Sequence, residues 1–221
     1  MDSAAFLTKL PRRLAGVGEW CFALGKTIFG LVLLLCVAPM ALHWPEYVRG
    51  WAAMIGVVFT MHFGFFHLLS CFWRARGYEA VALMQAPYLS NDLAEFWGKR
   101  WNLAFRDLTH RFLFRPLSKR FSPMVAMFLV FGGSGMVHDL VITVPARAGY
   151  GGPTLYFLLQ AFGMLVERQR WFVKHSRPRR VLCWLVLLVP VPLLFPPAFV
   201  HRVILPMVMD FHQGLRFLLG W

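Results

Sequence analysis

The sequence predicts an all-α fold: a polytopic transmembrane helical protein of about five spans plus an amphipathic interfacial helix. Three observations predict it. Hydrophobic residues make up 58% of the 221 positions, with 22 Phe and 9 Trp in the chain. That exceeds the roughly 45–50% typical of soluble domains. Several runs approach the roughly 20 apolar residues that a bilayer crossing needs. The segments between those runs alternate between rich and poor in Lys and Arg, as loops on opposite sides of a membrane do.

The expected spans are Trp20–Leu42, Trp51–Trp73, Met124–Val144, Thr154–Val166 and Val181–Val200. The fourth is short and follows the turn-forming Gly149-Tyr-Gly-Gly-Pro153. The fifth carries Pro190, Pro192, Pro196 and Pro197. Proline lacks an N–H, so its second half must bend or break unless neighbouring helices bond the freed carbonyls.

Lys9, Arg12 and Arg13 precede the first span, Arg49 alone follows it, nine Lys and Arg lie in Arg74–Arg120, Arg147 alone follows the third span, and six lie in Arg168–Arg180. By the positive-inside rule the N-terminus is cytoplasmic. Ile204–Trp221, with Asp210, His212 and Arg216, is expected to lie along the interface. The first nineteen residues are too polar for the apolar core of a cleavable signal peptide. With no repeat and no low-complexity linker, residues 1–221 read as one membrane-embedded domain.

The formal charge of +13 is explained by those cytoplasmic loops and their attraction to anionic lipid. No nucleic-acid motif accompanies it. The four cysteines, Cys21, Cys36, Cys71 and Cys183, form no CxxC pair, which argues against a disulfide framework and a zinc site. They read as small buried hydrophobes. His62 and His67 share the second span but are five residues apart, about 140° round a helix, so they are not an i,i+4 metal pair. No metal and no resident cofactor is expected.

Ser90-Asn91-Asp92 offers three helix caps, with Glu95 in the first turn. Winding Leu93–Leu113 as one helix puts Leu93, Trp97, Trp101, Ala104, Phe105, Leu108 and Phe112 on one face. Lys99, Asn102, Arg106, Thr109 and His110 fall on the other. Such a basic, Trp-bearing helix is expected in the plane of the cytoplasmic leaflet.

One ionisable group lies inside an apolar run. His138 follows Met124–Val137 and precedes Asp139. A titratable residue at such a depth is expensive and is read first as functional. From Met124 it is roughly 21 Å along a helix. Asp139 is about 100° round the helix from His138 and is not expected to face it. Ser134 lies one turn before His138 and shares its face, which leaves two readings open. One is a Ser–His nucleophile without an oriented acid. The other is close packing together with Gly132, Gly133 and Gly135.

Phe96-Trp97-Gly98-Lys99-Arg100-Trp101-Asn102 resembles the Phe-Trp-x-x-x-Trp-Asn block of the membrane-bound O-acyltransferase superfamily, in its wax synthase and diacylglycerol acyltransferase branch. Ser90–Glu95 and Arg115-Pro116 agree with it. Phe131-Gly-Gly-Ser134-Gly135-Met-Val-His138-Asp139-Leu140 is similar to that family's second block, where small residues precede an intramembrane histidine. Val203-Ile-Leu-Pro206 is similar to the tail of wax-synthase-like members. The matched core runs over residues 85–143.

The resemblance implies acyl transfer from acyl-CoA, as co-substrate, to a hydroxyl of a lipophilic alcohol. It makes His138 the general base and Asn102 its partner. Trp97, Trp101, Lys99, Arg100, Arg106 and Ser134 are the expected substrate-binding residues. The expected setting is a multi-pass protein of a bacterial inner (plasma) membrane, in contact with membrane lipids, with an oligomer left open.

The chemistry agrees with that assignment. An alcohol attacking a thioester must lose its proton, and imidazole, whose ordinary pKa lies near neutrality, is suited to take it. A side-chain amide suits the developing oxyanion. Two other readings stay open. One is a degenerate lipid-binding or scaffold protein. The other is a small transporter using His138 and Asp139, although the paired inverted halves expected of one are not seen.

Overall fold

The structure, a computed structural model, describes residues 14–41 and 43–220, without the side chains of residues 215, 216, 218 and 219. Lys9, Arg12, Arg13, Leu42, Trp221 and the Arg216 side chain therefore lie outside the described residues. All regular elements among them are helical.

Among the described residues, three helices are long and apolar enough to cross a membrane: α1 (Val17–Met40), α2 (Glu46–Ala75) and α5 (Pro123–Ala146). The expected count of five is not reached. The expected fourth span is the 15-residue helix α6 (Gly152–Val166), shorter than a full crossing. The expected fifth is broken into α8 (Ser176–Leu194) and α9 (Pro197–Gly214), which give a fourth crossing only if taken together. The prolines named above supply the break. The carbonyl of Val186, which Pro190 deprives of its helical donor, accepts instead from Gln160 Nε2 at 2.8 Å. Tyr156 Oη donates to the Leu187 carbonyl at 3.1 Å. Both donors belong to α6, so a neighbouring helix satisfies the proline break.

Residues divide into two compact units. The first comprises residues up to Met84 together with Val200 onward. In it α1 and α2 approach through small residues: a Cβ on Gly56 would lie 2.9 Å from the Gly30 carbonyl oxygen, and one on Gly64 2.3 Å from Thr27 Oγ1. Such closeness is the usual means of helix association in lipid.

The second unit, Gln85–Phe199, contains α3 (93–100), α4 (103–118), α5, α6, the short α7 (Arg170–Lys174) and α8. Ser122 caps α5 by accepting from the Val125 N–H at 3.3 Å, and Pro123 sits in its first turn, where a missing N–H costs nothing. α6 packs on α5 at Gly135, where a Cβ would lie only 2.4 Å from Thr154 Cα. Of the small residues in that stretch this one makes the close contact; a Cβ on Gly133 would meet nothing within 4 Å.

The single helix expected over Leu93–Leu113 is two pieces. α3 ends in a wide turn, with Trp101 N–H bonded to the Phe96 carbonyl at 2.9 Å and Trp101 extended. Asn102 follows in the left-handed region at φ 42°, which asparagine tolerates better than most residues, and its Oδ1 caps α4 through the Phe105 N–H at 3.2 Å. The side-chain cap competes with helix continuation, and periodicity alone did not reveal it.

Candidate active site

One face of α5 lines a cavity of about 600 Å³ in the second unit. Pro123, Met127, Val130, Phe131, Ser134, Val137, His138 and Val141 fall at helical spacing along it. That stripe extends about 27 Å at 1.5 Å per residue. Opposite walls come from α3 and α4 through Trp97, Gly98, Trp101, Asn102, Arg106 and His110, and from α6 through Phe157 and Met164. The lining is mostly apolar with a few polar groups, as in ligand pockets generally.

His138 is fixed in this wall. Its Nδ1 lies 2.7 Å from the Ser134 carbonyl oxygen. A carbonyl only accepts, so the neutral ring carries its proton on Nδ1 and keeps the lone pair on Nε2. Phe157 packs against the ring with centroids 4.6 Å apart. Beyond His138 the helix widens into a π turn, Asp139–Thr143.

Asp139 turns away from the histidine, as its helical offset predicts. Its Oδ1 accepts from the Gly151 N–H at 2.8 Å and from Thr143 Oγ1 at 3.1 Å. Its Oδ2 accepts from the Thr154 N–H at 3.0 Å and from Thr154 Oγ1. Asp139 thus caps the start of α6, whose own preceding residue, Gly151, has no side chain to do so. It is a fastening between α5 and α6.

Of the residues singled out from the sequence, His138, Asn102, Trp97, Trp101, Arg106 and Ser134 all line the cavity. Lys99 and Arg100 do not. Lys99 is exposed. Arg100 pairs with Glu95 at 2.6 Å and donates to the Gln85 carbonyl at 3.1 Å, which fixes the preceding loop. Their separation from Arg106 follows from the break at Asn102, which resets the helical phase. Arg106 donates to the Gly98 carbonyl at 2.6 Å and so ties α4 back to α3. The Trp97 indole N–H is buried and meets no acceptor among the described residues.

Arg168, just beyond α6, also lines the cavity, and neither composition nor spacing pointed to it. The same holds for Phe157. By contrast, the α5 stripe follows from winding Pro123–Val141 as a helix and asking what shares a face with His138.

The first unit holds a separate ionisable cluster. Lys26 Nζ lies 2.7 Å from His67 Nδ1, His67 Nε2 lies 3.1 Å from Glu19 Oε1, and Arg74 pairs with the same carboxylate. Ligand atoms of Glu19, His67 and Cys71 come within 4.8 Å of one another. The Lys26 and Arg74 cations already bond to that histidine and carboxylate, and they oppose a further positive charge. Cys71 and Cys183 are buried, whereas Cys21 and Cys36 are exposed, contrary to the expectation that all four are buried.

Residues 80–159 match the family described as Membrane bound O-acyl transferase. The chain is 29% identical over 111 residues to probable long-chain-alcohol O-fatty-acyltransferase 7 of Arabidopsis thaliana, covering 45% of this chain and 33% of that protein. It is 30% identical over 89 residues to acyl-CoA–sterol O-acyltransferase 1 of the same plant, covering 37% and 26%. A longer match, 25% identical over 231 positions, joins 91% of this chain to 65% of probable long-chain-alcohol O-fatty-acyltransferase 6. The chain therefore spans between about a quarter and two thirds of these relatives' lengths. No solved structure matches it. The paired blocks that frame the cavity lie within the matched residues 80–159, so it is over the cavity walls that the chain is similar to the Membrane bound O-acyl transferase family and to these long-chain-alcohol and sterol acyltransferases.

Proposed function

We propose that this chain catalyses transfer of a fatty acyl group from acyl-CoA to the hydroxyl of a lipophilic acceptor, with a long-chain alcohol as the first candidate. The observation that carries the reading is the placement of His138: its Nδ1 meets the Ser134 carbonyl, which leaves Nε2 as the ring's acceptor, and the residue lines a cavity that Asn102 also lines. Relatives named for fatty acyl transfer to alcohols and a sterol support the chemistry.

The alcohol proton passes to Nε2 of His138 as the alcohol oxygen bonds to the thioester carbonyl carbon. The oxyanion of the tetrahedral intermediate takes a hydrogen bond from Asn102 Nδ2, since Oδ1 is engaged in capping α4. Collapse breaks the C–S bond, and the thiolate of CoA takes the proton back from His138. No covalent acyl-serine is needed. The apolar α5 stripe accommodates the acyl chain, Trp97 and Trp101 wall the chamber, and Arg106 with His110 and Arg168 meets the phosphates of CoA.

In this proposal α6 and the broken α8–α9 pair complete a multi-pass arrangement in a bacterial plasma membrane with a cytoplasmic N-terminus. The exposed Leu108 and Phe112 of α4 rest in its interface. The test is acyl-CoA-dependent ester formation in membranes containing the wild-type chain or His138→Ala. Equal ester formation by the two overturns the assignment of His138. Lipid binding without turnover by the wild type favours the scaffold reading.

A further inference from the structure

The start of α3 is held by a group that the reaction above does not use. Leu93 is the first residue of α3, and its N–H has no acceptor within the helix. Both carboxylate oxygens of Glu167 accept it, at 2.8 and 2.9 Å. Glu167, at the end of α6, is 5% exposed, and Leu93 is fully buried. A Cβ on Gly163, one turn before Glu167, would come 2.6 Å from Leu93 Cδ1, so α6 and α3 meet without slack. Asp92 accepts from the Glu95 N–H at 2.6 Å and pairs with Arg179 of α8 at 2.8 Å, which closes the fastening. One turn on from Leu93, α3 delivers Trp97 to the cavity, and Asn102 follows.

We propose that Glu167 is a positioning residue for the cavity: its ionised carboxylate fixes the first turn of α3, and through it Trp97 and Asn102, relative to His138. This rests on the acyl-transfer reading. A charged carboxylate is the stronger acceptor and meets the positive end of the helix, so the hold is firmest when Glu167 is ionised. The charged and titratable groups around it are Asp92 before α3, Glu95 and Arg100 within α3, Arg168 next in the chain, and Arg179, Arg180 and Cys183 on α8. Burial, opposed by the N–H bonds, pushes the Glu167 carboxyl up to about 7. The anchor therefore changes charge in the neutral range.

Glu167→Gln keeps the shape and removes the ionisation. Acyl-transfer rates of wild type and E167Q are compared between about pH 6 and about pH 8.5, either side of that midpoint. His138 is present in both proteins, so their ratio isolates Glu167. The ratio of wild type to E167Q is expected to climb as pH passes through about 7. The difference lies in kcat and reaches about tenfold or more, since small misplacements of reacting groups are costly.

A second measurement needs neither activity nor the variant. Amide hydrogen exchange of residues 91–100 in the purified full chain, corrected for the intrinsic pH dependence, is expected to gain protection over the same pH range. A pH-independent ratio, or protection without that step, overturns the anchor. A wild type that forms no ester overturns the reaction, and the exchange measurement then judges the anchor alone.

Discussion

The imidazole of His138 is oriented by Ser134 through a backbone carbonyl, at 2.7 Å from Nδ1, and no bond to the Ser134 hydroxyl is seen. The serine thus acts through a part of itself that any residue possesses. Ser134→Ala is expected to retain ester-forming activity close to wild type, while His138→Ala loses about 10²–10⁴-fold, the usual contribution of a positioned base. Rates in isolated membranes, normalised to the amount of protein, check this. A dead S134A with intact folding revives the nucleophilic serine.

Asn102 caps α4, and the proposed mechanism gives its amide a second task that substitution separates from the first. Asn102→Asp keeps the oxygen that caps the Phe105 N–H but removes the amide donor. Activity per folded molecule is expected to fall by about 10²–10³, as when an oxyanion donor is lost. Asn102→Ala also loses the cap, worth about 1 kcal/mol, and strains a backbone at φ 42°. Equal activity of N102D and wild type removes Asn102 from the chemistry.

Asp139 fastens α6 and does not face His138. Asp139→Ala leaves the Gly151 and Thr154 N–H groups without their acceptor. Thermal melting is expected to show a loss of about 2–3 kcal/mol. The rate per folded molecule stays near wild type. A full-stability D139A with no activity contradicts this.

Two glycines separate packing from substrate space. Gly135→Ala forces α5 and α6 apart, since its Cβ would lie 2.4 Å from Thr154 Cα, and is expected to destabilise by about 1–3 kcal/mol. Gly98 lines the cavity, and a Cβ there meets nothing within 4 Å. Gly98→Ala is expected to melt like wild type and to raise KM for the longer acyl donors. Unchanged KM across chain lengths argues against substrate beside Gly98.

Glu167 also sets a pH dependence of stability. Its folded carboxyl, raised to about 7 from the ordinary 4.5, binds protons more tightly than in the unfolded chain. Ionisation strengthens the local bond to the Leu93 N–H, but in global unfolding release from burial outweighs loss of that bond, so the contribution to global stability is complete below the unfolded value and is lost as pH rises through the folded one. The melting temperature of wild type relative to Glu167→Gln is therefore expected to fall between about pH 4.5 and pH 7 and to level off above. A rise over that interval is the opposite sign and excludes the assignment.

Much of the site was legible from residue order. The α5 face follows from helical spacing about His138, and the Phe96–Asn102 block marked the facing wall. The roles of Lys99 and Arg100 were not legible, because the winding that grouped them with Arg106 assumed one helix through Asn102. Local side-chain capping ended that helix, and propensity at single positions is too weak to announce such a break. The number of spans was over-read for a related reason. Apolar composition records that α6 and α8 are buried or lipid-facing, and it does not record where Pro190 and its neighbours divide a run.

The sequence by itself determined the helical class, the two motif blocks and the presence of His138 and Asn102 in the cavity wall, because hydrophobic period and motif spacing are properties of neighbours along the chain. Only the tertiary structure decided that Glu167 grips Leu93, that Asp139 caps α6, and that Gln160 satisfies the carbonyl freed by Pro190. Each joins groups far apart in sequence. Each exists because a buried polar group finds its partner only when the helices pack.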